Sequence, residues 1–176
     1  MPFSVQFDVL GVKQVNRSLM SSADAVKDLS PVWDDIYDDF LKREGDVFSS
    51  EGNVGSKSRE FGVGAGKWGP WEPLNKIYAA RKLAKGFGSK ILVRTGRLRD
   101  SLTSRGHGDA VFGPQLLRVA MGTRTPYAGY HQGNKDFVDT GKIPRREPVR
   151  VGEAQVRFWM RLIHKFVLES GQFVRE

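Results

Sequence analysis

The chain has 176 residues, 28 Lys and Arg against 20 Asp and Glu, 39% hydrophobic and 27% charged residues, and no cysteine. This length fits one domain with one core, and zero cysteine excludes disulfide frameworks, thiol nucleophiles, iron–sulfur clusters and most structural zinc sites. The three histidines, His107, His131 and His164, are too scattered for a metal cage, and no window offers the ~18 uninterrupted apolar residues that span a bilayer. The opening MPFSVQFDVLG has neither a basic stretch nor a continuous apolar run, so no cleaved leader is expected. The expectation is a soluble, intracellular, basic protein.

Residues 3–9 alternate, with Phe3, Val5, Phe7 and Val9 apolar, which predicts a half-buried strand. After Gly11, residues Val12, Val15, Leu19, Ala23, Val26 and Leu29 recur at helical spacing. Ser30 and Pro31 read as an N-cap and first helical position, restarting a helix that ends near Gly45. Trp33, Ile36, Tyr37, Phe40 and Leu41 form its apolar stripe, and Asp34, Asp35, Asp38 and Asp39 read as a solvated acidic face. Residues 49–70 are rich in Gly and Ser and read as a loop, or as an arm that orders on docking. Pro73 opens a basic helix with Leu74, Ile77 and Ala84 inside and Lys76, Lys82 and Lys85 outside; Gly86 and Gly88 stop it.

Ile91-Leu92-Val93 is a short apolar run, followed by a turn at Thr95-Gly96 and one helical turn through Leu98. Three strands are predicted at 101–105, 109–112 and 116–121, with Gly113-Pro114 in the turn before the last. Pro126 opens a short helical segment through Gln132, and residues 143–149 read as an edge strand. A last helix is predicted over 151–169, with Val156, Trp159, Leu162, Ile163 and Phe166 on one side. The whole is an α+β fold: a small antiparallel sheet flanked by a long N-terminal helix, a middle helix and a C-terminal helix. One domain spans 1–176, with the Gly/Ser-rich loop or arm at about 49–70.

Charge is uneven along the chain. Residues 1–60 balance to −4 and residues 61–176 to +12. The positive part suits phosphate backbones or an acidic neighbour. A chain with one acidic and one basic end also suits head-to-tail association, in which two different faces meet.

Catalytic patterns are weak. In GVGAGKW, Gly62 and Gly66 are one residue too close for a phosphate-binding loop, and Trp68 stands where a magnesium-binding hydroxyl belongs. Ser101, His131 and Asp139 make a hydrolase trio on paper, but no G-x-S-x-G elbow presents the serine. The acids after residue 60 are too isolated for a paired-carboxylate site. No enzyme and no cofactor is expected.

More information lies in an ordered series: W-E-P-L at 71–74, I-L-V-R-T-G-R-L-R-D-S-L at 91–102, M-G-T at 121–123, Y-A-G-Y-H-Q-G at 127–133 and I-P-R-R-E-P at 143–148. This series resembles the virion-morphogenesis, or tail-completion, family of long-tailed bacteriophages, which includes neck and head–tail joining proteins. The resemblance implies a ring of identical subunits in the virion neck, assembled in the host bacterial cytoplasm. Its neighbours would be head connector or portal-side neck proteins and tail terminator or tail-tube proteins. It implies no membrane partner and only transient, non-specific contact with passing DNA.

The resemblance marks Trp71, Pro73, Leu74, Thr95, Gly96, Leu98, Ser101, Gly122, Tyr127, Tyr130, His131, Gln132, Gly133, Pro144 and Arg146 as motif or subunit-interface positions. Arg94, Arg97, Arg99 and Arg105 are the residues it would place along a DNA channel or against an acidic partner ring. Thr95 is expected to cap the turn at Gly96, Leu98 and Leu102 to anchor it, and Gly122 and Gly133 to permit tight reversals. Tyr127, Tyr130 and His131 are expected to form a wall between helix and sheet. The alternative is a basic protein that binds nucleic acid non-specifically outside any virion; against it, the sequence has no recognition-helix pattern, RNP aromatics or zinc knuckle. A small hydrolase or nuclease is the third reading.

Overall fold

The architecture follows from one helix that is buried along most of its length. A computed structural model describes residues 20, 22–54, 69–132 and 144–172, with side chains described to residue 170. The strand expected at 3–9, most of the helix expected from Val12, the GVGAGKW segment, Gly133 and Asp139 lie outside the described residues. A 3-10 turn at Ser30–Val32 leads into α1 (Trp33–Ser49). Trp33, Ile36, Tyr37, Phe40, Leu41, Val47 and Phe48 are all buried on it, a wider apolar surface than the stripe of a two-sided surface helix. Three elements cover this surface: α3 (Arg97–Thr103), a hairpin of β1 (Ala110–Pro114) and β2 (Val119–Thr123), and α5 (Glu153–Gln172).

The two strands are antiparallel, with Ala110 opposite Thr123, Phe112 opposite Met121 and Pro114 opposite Val119. An isolated hairpin is marginal in water, and this one is held by aromatic contact. Phe112 stacks on Tyr37 with ring centroids 4.4 Å apart, and the Trp33 Nε1 donates to the Gln115 carbonyl at 2.6 Å. Arg105 closes the same corner. It donates to Asp34 at 2.7 Å and Asp38 at 2.9 Å while its guanidinium lies 4.9 Å from the Tyr37 ring centroid and 5.4 Å from that of Phe112. From α5, Trp159, Leu162, Ile163 and Phe166 pack against Val32, Trp33 and Ile36, and the Trp159 Nε1 donates to Asp39 at 2.7 Å.

The α+β arrangement stands as expected, with several local differences. The segment 101–105 is not a strand: α3 continues to Thr103, because Leu98 and Leu102 point one helical turn apart into the core at 1% and 0% exposure. The sheet therefore has two strands among the described residues. Gly113-Pro114 ends β1, and Gly122 lies inside β2 opposite Val111, so neither makes the expected reversal. Residues 144–150 form no strand and are tied down by side chains. Helix α1 runs past Gly45 to Ser49, since Val47 and Phe48 still find core.

Ser30 is not an N-cap; its own N–H donates to Asp28 Oδ1 at 2.8 Å. Helix α2 (Lys76–Ala84) is capped by Asn75, whose side chain accepts from Ile77 N. Leu74 is half-buried against the core and Lys76 and Lys85 are outside, as expected, but the facing of Ile77, Lys82 and Ala84 is reversed. Lys82 is buried while Ile77 and Leu83 are 64% and 63% exposed, because the Lys82 ammonium reaches the Lys90 carbonyl across the 85–90 turn.

Around Trp71 the chain crosses itself closely. The Trp71 N–H donates to the Glu51 carbonyl at 2.8 Å, its Nε1 to the Glu147 carbonyl at 3.0 Å, and its ring meets Phe48 edge-on at 5.4 Å. Gly52 lies beneath it at φ +79°, and a Cβ there would sit 2.6 Å from Trp71 Cδ1. Gly52→Ala combines a left-handed backbone with this clash, and should lower unfolding free energy by about 2 kcal/mol or more in urea titration.

Beside this crossing, the Glu44 side chain is fully buried and accepts from the Arg150 N–H at 3.4 Å, while its Oε2 has no hydrogen-bond partner. Burial drives its carboxyl well above the usual 4.5, against the Arg150 N–H bond and charge, which favour the ionised form. The folded state then holds the proton more tightly than the unfolded chain. The resulting stabilisation is complete below pH 4.5 and is lost as pH rises through the folded pKa. Glu44→Gln should flatten the fall of the urea midpoint as pH rises above 4.5; an unchanged slope would contradict this assignment.

Candidate functional site

Pieces far apart in sequence meet around one groove of about 1110 Å³. One wall is the extended chain at Glu72, Pro73 and Leu74 continuing into Asn75, Tyr78 and Lys82 of α2. The floor is the 92–98 turn, with Leu92, Val93 and Leu98 supplying apolar surface. The far side is Tyr127 and His131, at and inside α4 (Ala128–Gln132), with Pro144, Arg145 and Arg146.

Gly96 makes the floor turn possible. It caps α3 at φ +86°, its carbonyl accepting the Asp100 N–H at 2.8 Å; Thr95 makes no cap bond, contrary to expectation. Leu92 also takes a left-handed backbone, at φ 58°, and is held there because the preceding Ile91 N–H donates to Glu51 Oε1 at 2.8 Å.

Arg146 builds the wall. It is buried, and its guanidinium donates to the Glu72 carbonyl at 2.7 Å and the Pro73 carbonyl at 3.0 Å. Its own N–H donates to the His131 carbonyl at 3.2 Å, so one residue joins both sides of the groove. Gln132 reinforces the joint: its amide donates to the Val149 carbonyl at 2.9 Å and accepts the Val149 N–H at 3.1 Å. Burial, and then the charge of Arg146, lower the His131 pKa and favour the neutral ring, whose buried Nδ1 has no hydrogen-bond partner among the described residues. Burial likewise lowers the pKa of Lys82, against the pull of Glu51.

The groove is basic, but its cations differ in how they are compensated. Arg97 forms a two-point pair with Asp109, one bond at 2.9 Å, and Arg145 pairs with Glu147. Arg94 lies 4.8 Å over the Phe87 ring, Lys82 reaches the Lys90 carbonyl, and Arg146 holds two carbonyls. None of these last three has a carboxylate within ion-pair distance among the described residues.

Of the residues marked by the sequence, the groove gathers Pro73, Leu74, Arg94, Thr95, Gly96, Arg97, Leu98, Tyr127, His131, Pro144 and Arg146. Others lie elsewhere. Trp71 is core, Arg99 pairs with Asp100 at 2.7 Å, Arg105 is clamped on α1, Gly122 is in β2, and Tyr130 is about half exposed outside the groove. Ser101 is fully buried; its Oγ donates to the Leu98 carbonyl at 2.8 Å and meets Thr123 Oγ1 at 2.7 Å. That hydroxyl is committed to joining α3 to β2, and the paper trio has no support from it.

The sequence missed Tyr78, Lys82 and Arg145 as groove residues. Only the Asn75 cap, which fixes the phase of α2, could have signalled the first two. Among the described residues no group of three or more His, Asp or Glu side chains is placed to hold a metal ion, and no helix is long and apolar enough to cross a membrane. Compared with protein-family models, curated proteins and solved structures, the chain matches none.

Arg146→Ala removes the fork that ties the two walls together. It should cost about 2 kcal/mol of stability, in keeping with buried hydrogen bonds from a charged donor. Arg146→Lys should restore less than half of the loss, because an ammonium cannot match the planar fork. Full recovery with lysine in the same urea titration would show that charge alone suffices.

Proposed function

We propose that the chain is a structural protein of a phage neck, forming a homo-oligomeric ring that completes the tail and joins it to the DNA-filled head. The observation that carries this reading is convergence. Four of the five pieces read as a series in the sequence contribute residues to one groove, at 72–74, 92–98, Tyr127 with His131, and 144–146, while 121–123 lies outside it. Residues of separate segments that meet in space are what a contact surface requires. A catalytic reading lacks such support, since Ser101 is enclosed and its hydroxyl is bonded to the Leu98 carbonyl and to Thr123.

The nucleic-acid alternative is weakened by pairing. Three of the four arginines assigned to a DNA channel (Arg97, Arg99 and Arg105) already face carboxylates of the same chain. Binding a phosphate backbone would compete with those pairs, whereas binding between subunits can leave them in place. In this proposal the ring sits in the virion neck, assembled in the host bacterial cytoplasm between portal-side neck proteins and the tail terminator or tube. DNA passes it without being read.

Disrupting the gene in the phage or prophage that carries it should give filled heads and finished tails that fail to join, visible by negative-stain microscopy. Complementation should restore joined particles. Normal titres of joined, infectious particles from the disrupted genome would overturn the proposal.

A further inference from the structure

We infer that the basic groove receives the acidic ridge of a second copy of this chain. This inference rests on the ring reading and names the contact that would close it. Among the described residues the groove gathers three cations with no carboxylate within ion-pair distance, beside an apolar floor: Arg94, which is exposed, and Lys82 and Arg146, which are buried with their charges on backbone carbonyls. Among the described residues Glu72 is the one acidic side chain lining it.

The complementary surface is on the same molecule but not in the groove. Asp24, Asp28, Asp34, Asp35 and Asp38 are all exposed along residues 24–38, and none of them lines the groove. Lys27 answers Asp24, and Arg105 answers Asp34 and Asp38 together. Among the described residues Asp35 has no partner, and Asp28 is met by Ser30 alone, through its hydroxyl and its N–H, with no cation beside it. The ridge therefore keeps an excess of negative charge, as the groove keeps an excess of positive charge.

A chain with one basic groove and one acidic ridge pairs either twice about a two-fold axis or once head-to-tail. The ring reading selects the head-to-tail contact, which leaves a groove and a ridge open for the next copy. Each copy then offers one groove and one ridge, which is the arrangement a closed ring needs. The Arg94 guanidinium, exposed and resting only on Phe87, is placed to exchange that ring contact for a carboxylate.

The test uses the full chain in sedimentation velocity at low and high salt, with circular dichroism as a check on folding. The wild type should self-associate at low salt and dissociate as salt screens exposed pairs. Arg94→Glu and Asp35→Arg should each weaken association at least tenfold. An equimolar mixture of the two, and the double variant, should recover it, since the reversed charges again face each other.

Association that ignores both reversals would overturn the groove–ridge contact while leaving the ring intact. Single reversals that weaken association without recovery in the mixture would also overturn it. A mixed-sequence DNA duplex that displaces self-association, with its own binding lost in Arg94→Glu, would assign the groove to nucleic acid instead. Absence of self-association in solution, together with absence of rings in particles, would remove the ring reading itself.

Discussion

Everything else in the fold depends on hiding the face of α1. Ile36, Tyr37, Phe40, Val47 and Phe48 are each at most 2% exposed, and that much apolar surface cannot be covered by one neighbour. The chain covers it with three modest elements, none of which is stable alone. The hairpin has two strands, α3 has seven residues, and α5 is 20 residues long but leaves Val156, Met160 and Leu168 exposed among charged residues on its outer side. Each gains order by packing on α1, so the unit folds as a cooperative whole around that helix.

This constraint explains why polar chemistry penetrates the core. Where the long helix leaves the hairpin behind, Glu44 is enclosed with the Arg150 backbone beside it. The Arg150 guanidinium reaches the Gly52 carbonyl and, at 3.1 Å, the Gly69 carbonyl, tying the end of α1 to the chain that returns after the Gly-rich segment. Arg146 does the same for the Glu72 and Pro73 carbonyls. Loop backbone brought against a core must have its carbonyls satisfied. Arginine, with five donors in a planar fork, satisfies several at once.

Local periodicity made part of this legible. The Trp33, Ile36 and Phe40 spacing identified α1, the Trp159, Leu162 and Phe166 spacing identified α5, and alternation at Val119 and Met121 identified β2. These features are encoded by neighbours in sequence. Three others are not. The helical state of 101–103 is set by Leu98 and Leu102 finding a core pocket together; the phase of α2 is set by Lys82 meeting a carbonyl beyond the helix; and the burial of Arg146 is set by a chain 73 to 74 residues away. Composition marks lysine and arginine as surface residues, and only the tertiary partner reveals the exceptions. The groove was legible in kind, since its motif pieces stood out as a series, but their meeting was not.

The charge imbalance takes on a different meaning once pairs are assigned. Summed along the chain, −4 followed by +12 suggests a basic body ready for any polyanion. In the fold, Arg105 crosses back to α1 and spends its charge on Asp34 and Asp38, and Arg97 spends its own on Asp109. Among the described residues Lys42, Lys76, Arg81, Lys85 and Lys90 make no ion pair either, but the groove cations gather in one place and Asp35 with Asp28 in another. A diffuse positive field would favour nucleic acid without regard to geometry. Two separated patches of opposite sign favour a partner whose own patches are spaced to match, and the surface that meets this condition by construction is another copy of the same chain.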